Sequence, residues 1–469
     1  MPIFSVIKRR IQQGINLSEH NNTDIINVYN FHPPLRNKGW EKHIGERMEW
    51  QEFKLKNGVR VIYQPLPGTH SVSTGIWIQA GSRFETGNIS GISHFIEHLL
   101  FKGTKKRNYK AIKESIEGVG GTFNGFTSTE ATCYWIKILG EYLELSIDVL
   151  ADMIQNPLLK KEDIEKERKV ISEEINMYKD IPAKHVFELF DSMLYSEHPL
   201  GQPIAGTVET VSRINSSDLR QYIKNLYTAD NIVVSIAGNI SENGLTKILE
   251  KHLSSLKNKG DNSYIAWKNK PSGPKIKTFI KDTEQTHIVM GGLAPDRCDS
   301  KRYSLTVLNT ILAGNMSSRL FNRIRESMGL AYSIRGFTKH YQDTGGYLIY
   351  AGISAENTEK TISAITEELR KIKDKGPTKN EMKRAKKFII SQILMELEDN
   401  LEYMLWLGEQ RVFRKKLIPV KETIEQIENV SSEEVIGIAK ELFVPKNMHL
   451  SIISPSIDED SIMRIISRV

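Results

Sequence analysis

An internal echo constrains this chain more than any single motif. Asn231-Ile-Val-Val-Ser235 returns 216 residues later as Asn447-Met-His-Leu-Ser451, and Thr74-Gly-Ile-Trp-Ile-Gln-Ala80 returns as His287-Ile-Val-Met-Gly-Gly-Leu293. In each copy the second of these strands leads into a helix that closes on a glycine, Gly103 or Gly314. A chain of 469 residues is too long for one typical core and suits two of roughly 200 residues each. Between the copies, residues 257–275 (KNKGDNSYIAWKNKPSGPK) have the Gly, Asn, Lys and Pro content of a linker. The expected fold is α+β: two similar domains related by internal duplication, each with helices packed on a mainly antiparallel sheet. The expected boundaries are an N-terminal extension over 1–45, a first domain over 46–256, the linker over 257–275 and a duplicate domain over 276–469.

Local signals order the first copy. Glu52-Phe53-Lys54-Leu55 and Arg60-Val61-Ile62-Tyr63 flank Asn57-Gly58, a pair that tolerates positive φ, and so predict a hairpin. Ser73 to Gln79 reads as a strand, Gly91 to Lys102 as a helix and Gly121 to Leu139 as strands. Helices follow at about 141–155 and 160–179 with Pro157 between them, then a strand from Asn231 to Ala237 and a helix near 241–256.

Composition removes several function classes. The net charge is +7, but basic residues alternate with acids, as in Lys160-Lys161-Glu162-Asp163-Ile164-Glu165-Lys166-Glu167, which is the pattern of a solvated helix face. Without a basic stripe interleaved with aromatics, no nucleic-acid partner is expected. No apolar run reaches about 18 residues, so no membrane span is expected. Cys133 and Cys298 are too few and too far apart for a disulfide framework. Met1 to Arg10 is apolar and basic, yet no apolar core of a secretory signal follows it, and Glu19 and Asp24 break the acid-poor character of an organelle presequence. The first 45 residues therefore read as a flexible or docking extension.

The chemistry concentrates at His94-Phe95-Ile96-Glu97-His98. At about 100° per residue, Ile92, Phe95, Ile96 and Leu99 form one apolar stripe, and His94, Glu97 and His98 fall on roughly the opposite side. Two imidazoles four residues apart reach one ion from adjacent turns, and a carboxylate beside them can take a proton from a metal-activated water. A catalytic zinc needs a third protein ligand. The helix from Glu162 to Lys179 supplies candidates: its apolar stripe is Ile164, Ile171, Ile175 and Tyr178, and Glu174 and Glu167 both lie about 60–80° to one side of it. Glu173 points away from the core. The helix face nominates Glu174 or Glu167 and does not choose between them. Aligning Gly103 with Gly314 places Leu305, Leu308 and Asn309 opposite the three site residues, so the second copy carries the scaffold without the ligands.

The blocks GISHFIEHLLFKGTKKR, GTFNGFTSTEATCYW, EKERKVISEEINMYKD and GNMSSRLFNRIRESMGLAYSI resemble the signature segments of the M16 (pitrilysin/insulinase-like, inverzincin) metallopeptidases. They are most similar to the subfamily of chains of this length that includes bacterial processing-type peptidases and the mitochondrial processing peptidase β subunit. The resemblance implies that the third ligand is Glu174, 76 residues beyond His98, and that Glu167 is a supporting acid behind the ligands. It also implies that Asn124, Gly125, Phe126 and Thr127 belong to a substrate-binding edge strand, with Gly125 departing from the alanine common there. Arg325 and Tyr332 match the family's Arg/Tyr pair, which clamps the substrate carbonyl and the oxyanion.

Together these readings predict a zinc metalloendopeptidase, one Zn²⁺ per chain, that hydrolyses unfolded peptides or flexible protein termini with Glu97 as general base. Because the family's Arg/Tyr pair faces the zinc from the opposite half of a clamshell, the resemblance implies a homodimer, or a heterodimer with an M16-like partner, acting in trans. It favours the bacterial cytoplasm, with the mitochondrial matrix as the alternative. Two rival functions follow from the same resemblance: a presequence-processing β-type subunit, and a non-catalytic scaffold subunit.

Overall fold

Two β-sheets take up the repeated strands. The structure, a computed structural model, describes residues 50–469 apart from 242, 261–262 and 269–272. The extension expected over 1–45 lies outside the described residues. The first sheet has the order β1-β2-β6-β3-β5-β4, built from Gln51–Lys54, Arg60–Pro65, Ile232–Gly238, Ser71–Ile78, Thr132–Leu139 and Thr122–Thr127 respectively. The second has the order β7-β11-β8-β10-β9, built from Ile276–Ile280, His449–Ser454, Thr286–Ala294, Gly345–Ile353 and Ala331–His340. Without β1 the two orders coincide. In each sheet one pair is parallel, β2 with β6 and β7 with β11, and the others are antiparallel. The fold is the duplicated, mainly antiparallel α+β architecture expected. The hairpin β1–β2 turns at Gly58, whose φ of 100° belongs to glycine.

The two echoes fare differently. The Asn231 amide donates to Leu226 O (2.8 Å) and Gln79 O (3.0 Å); the Asn447 amide donates to Leu442 O (3.1 Å) and Leu293 O (2.9 Å). Asn231 and Asn447 are thus true counterparts, each tying a helix end to the end of a neighbouring strand. The same bonds equate Gln79 with Leu293, whereas the sequence echo equates Gln79 with Gly292. That one-residue slip matters, because successive strand side chains point to opposite faces. The helix alignment slips likewise. A Cβ at Gly125 in β4 would meet Glu97 and Phe101, and a Cβ at its counterpart Gly336 in β9 would meet Asn309 and Ala313. Thr306, Asn309 and Thr310 therefore stand opposite His94, Glu97 and His98, in place of Leu305, Leu308 and Asn309. The second copy still offers no imidazole or carboxylate there.

Four helices position the site or join the halves, α1 (Ile92–Leu100), α2 (Lys161–Asp180), α3 (Pro182–Leu194) and α5 (Asn400–Phe413), while α4 (Lys301–Leu312) is the second half's counterpart of α1. Two of them cross over. α5 comes from the second half but lies on β3 and β6 of the first sheet, and α3 comes from the first half but lies on β8 and β11 of the second. The fit of α5 follows from two periodicities. Alternate residues Ser73, Gly75 and Trp77 of β3 face it, and Asn400, Met404 and Gly408, four apart on the helix, meet them in turn. Ser73 Oγ donates to Asn400 Oδ1 at 2.9 Å, and a Cβ at Gly408 would collide with the Trp77 indole. The intervening side chains Val72, Ile76 and Ile78 point the other way, into the core with α1.

A buried ionic network joins the halves. Arg83, 1% exposed, bonds Glu130 Oε1 and both Asp343 oxygens at 2.6 Å, and Arg297 bonds Glu130 Oε2 at 3.3 Å and Glu409 Oε1 at 2.8 Å. The described part of residues 257–275 holds no helix or strand but is docked on this network. Trp267 N donates to Asp343 Oδ2 at 2.8 Å, and Ile265 O accepts from Arg83 Nη2 at 3.1 Å. Cys133 is buried and Cys298 exposed, and among the described residues neither is in a disulfide. Among the described residues no helix is long and apolar enough to cross a membrane.

Candidate metal centre

α1 is pinned at both its start and its inner face. Gly91, at φ 95°, lets the chain turn into the helix, and the buried Glu85 carboxylate accepts from Gly91 N (2.7 Å) and Ser93 N (2.9 Å). A carboxylate suits the positive end of a helix, although burial pushes Glu85 up to about 7. Ile92, Phe95, Ile96, Leu99 and Leu100 are buried, which leaves His94, Glu97 and His98 half-buried on the opposite face. α2 buries Ile164, Glu167, Ile171 and Ile175; Glu174 is half-buried and Glu173 exposed.

The two helices bring three donors together. Glu174 Oε2 lies 3.9 Å from His94 Nε2 and 3.7 Å from His98 Nε2, and one ligand atom from each of the three residues falls within 4.8 Å of the others. Ligands about 2.0–2.1 Å from a tetrahedral ion stand about 3.3 Å apart. The two carboxylate–imidazole separations are a few tenths of an ångström wider than that, which small side-chain rotations close. Two imidazoles and one carboxylate, with room left over, match the donor set of a catalytic zinc.

Surrounding groups fix the roles. Glu167 Oε2 lies 3.1 Å from His98 Nδ1, so the carboxylate holds Nδ1–H and leaves Nε2 as the lone-pair donor. Lys102 Nζ steadies Glu167 Oε1 at 2.5 Å. His94 Nδ1 is buried with no hydrogen-bond partner among the described residues, so packing alone orients that ring. Burial, then the neighbouring His98, lowers His94 to about 3, which keeps it neutral. Burial opposes the charged form of His98, but Glu167, Glu97 and Glu174 outweigh it and raise its pKa. Burial raises Glu97 against the bond its Oε2 accepts from Thr127 Oγ1 at 2.6 Å.

The donors line a cavity of about 380 Å³. Asn124, Gly125, Phe126 and Thr127 form one wall, on the outer edge of the first sheet: β5 pairs with one side of β4, and no strand among the described residues pairs with the other. Their side chains have separate duties. Thr127 bonds Glu97, Phe126 packs edge-on against Trp77, and Gly125 leaves space for Glu97 and the Phe101 and Tyr134 rings. The facing walls were not foreseen. Lys184, Phe187, Glu188 and Asp191 on α3 form one stripe, and Phe337, Thr338 and Lys339 come from β9. Lys339 bonds Asp191, tying the stripe to the second sheet. The spacing of the α3 residues is a helical signal that could have been read; that they share a cavity with His94, His98 and Glu174 could not.

Arg325 and Tyr332 are together but apart from the metal group of their own chain. The Arg325 guanidinium carbon lies 5.6 Å from the Tyr332 ring centre, Tyr332 is 74% exposed, and neither residue lines the cavity.

Comparison with known proteins adds the following. Residues 60–208 match the model of the insulinase (peptidase family M16) domain, and 213–389 match that of the M16 peptidase inactive domain. An uncharacterized zinc protease of Bacillus subtilis is 38% identical over 87% of this chain and 98% of its own length. One of Mycobacterium leprae is 35% identical over 83% of this chain and 88% of its own. A crystal structure of a protease from Helicobacter pylori superposes with a TM-score of 0.82 at 23% identity, covering 87% of this chain and 99% of that one.

Proposed function

The chain belongs to the M16, or insulinase, peptidase family, and from that premise we propose that it is a zinc-dependent endopeptidase cutting unfolded peptides and flexible protein termini. The observation that carries this reading is the convergence of His94, His98 and Glu174 within 4.8 Å of one another on a cavity walled by β4, the outermost described strand of its sheet. These three residues would hold one Zn²⁺. Bound there, it supplies Lewis acidity, polarising the scissile carbonyl and making a water easier to deprotonate.

The remaining work falls to the chain. Thr127 occupies Glu97 Oε2 and so leaves Oε1 to receive the proton; the raised pKa lets the carboxyl hold that proton until it passes to the leaving amine. Glu167 fixes the ring of His98. The open side of β4 binds an extended peptide by main-chain hydrogen bonds, which gives affinity with little sequence preference and excludes folded proteins. Arg325 and Tyr332 lie outside the cavity of their own chain, which supports their acting on a second chain, in a homodimer or beside an M16-like partner, where they would stabilise the oxyanion. The bacterial origin of the relatives supports a place in the bacterial cytoplasm.

Glu97→Gln tests the reading. Zinc content should stay equal to wild type while cleavage of a denatured polypeptide falls about a hundred- to ten-thousand-fold. Full activity in this variant would refute the assignment of the base.

A further inference from the structure

A second cavity, of about 50 Å³, shares no wall residue with the first, and three arginines, Arg297, Arg302 and Arg414, line it. Arg302, in the first turn of α4, is 7% exposed. Its guanidinium bonds the Tyr303 hydroxyl and Asp299 O (3.3 Å) and lies 4.1 Å over the Tyr303 ring. Arg414, just beyond α5, donates to Arg297 O at 2.6 Å. Neither Arg302 nor Arg414 pairs with a carboxylate among the described residues. Arg297 does, but its two partners are Glu409 on the cavity wall and Glu130 in the network shared with Arg83. Among its described lining residues the cavity therefore sets three guanidinium groups against one carboxylate, that of Glu409.

Uncompensated buried charge is costly in a folded protein. Burial, then the charges of Arg302 and Arg297, lowers the pKa of Arg414, as expected for a cation short of counter-charge. The walls are rigid: Gln410 is bonded at both ends, Nε2 to Ile418 O (3.1 Å) and Oε1 from Ile418 N (3.0 Å), and Arg297 stacks 3.9 Å over Phe413. At about 10–15 Å³ per water-sized sphere, the space accepts roughly four waters or a single tetrahedral oxyanion. Guanidinium forks suit such a group because they offer paired donors.

We propose that this pocket binds a phosphate group, held between the guanidinium groups of Arg302 and Arg414. Inorganic phosphate and a phosphate monoester share that chemistry. Calorimetry on the full chain at low ionic strength tests it, with inorganic phosphate in one arm, phosphoserine in another and sodium chloride of equal ionic strength as the blank. We expect one saturable site per chain in at least one phosphate arm, and the stronger arm identifies the source. Arg414→Gln should weaken it at least tenfold, while Lys301→Gln, at an exposed position paired with Glu441, should leave it unchanged. If circular dichroism shows that Arg414→Gln does not fold, Arg414→Lys replaces it, keeping the charge and losing the fork, and should still bind several-fold more weakly. The proposal fails if neither arm saturates by about 10 mM, if chloride reproduces the heat, or if the folded Arg414 variant binds like wild type.

Discussion

Single side chains here are set by partners that the sequence hides. Glu381 is an instance. Burial alone would raise its carboxyl, but Arg319 grips both oxygens at 2.7 and 2.8 Å, Thr378 N donates at 2.8 Å, and the pKa is held at about 2. A carboxyl depressed by folding adds stability above its unfolded pKa, near 4.5, and loses it as pH falls towards 2. Discounted for the solvent at its rim, the contribution is about 1–2 kcal/mol. Chemical denaturation should therefore show Glu381→Gln less stable than wild type by that amount at pH 7, with the gap narrowing from about pH 5 towards pH 2; a gap constant with pH would mean the charge is not what matters. At the metal centre, His94, Glu97 and His98 were legible because their spacing and apolar stripe are local. The helix face narrowed the third donor to Glu174 or Glu167 and stopped there, since both share one edge of α2. In the folded chain the two part company: Glu174 meets both imidazoles and Glu167 meets the back of His98. The bonds from Thr127 to Glu97 and from Lys102 to Glu167 depend on how distant segments pack, which no local pattern records.

Elements were legible where their own periodicity defines them. The hairpin at Asn57-Gly58, the strand of β3 and helices α1 and α2 lie within a few residues of expectation. Register between copies was not, because an apolar alternation matches itself almost as well when shifted, and only the bonds of Asn231 and Asn447 resolve it. Nor does any local signal say that α3 and α5 lie across the other half's sheet. Two glycines test that arrangement. A Cβ at Gly408 would overlap Trp77, while one at Gly437, on the exposed side of helix Ser432–Leu442, would meet open space. Gly408→Ala should lower stability by about 1–3 kcal/mol, and Gly437→Ala should raise it by about 0.5–1 kcal/mol. Urea midpoints distinguish the two, and an unshifted midpoint for Gly408→Ala would mean that α5 does not lie against β3.

The whole molecule is held by what passes between its halves. Arg83 and Glu130 come from the first half, Asp343, Arg297 and Glu409 from the second, and Ile265 and Trp267 from the segment between. Arg83→Met would leave Glu130, 2% exposed, with Arg297 as its one remaining cation among the described residues, and would take from Asp343 the cation that both its oxygens bond. A loss of about 3–5 kcal/mol is expected for one buried partner removed, read as a lower denaturant midpoint; an unchanged midpoint would show the network to be dispensable. The exchange of α3 and α5 reaches further than stability. A duplication copies a segment of gene, yet here neither copy closes over its own sheet. During synthesis the first half must emerge with Ser73, Gly75 and Trp77 bare to the surroundings, and they stay so until residues 400–413 leave the ribosome. The ancestral unit of inheritance has ceased to be the unit of folding.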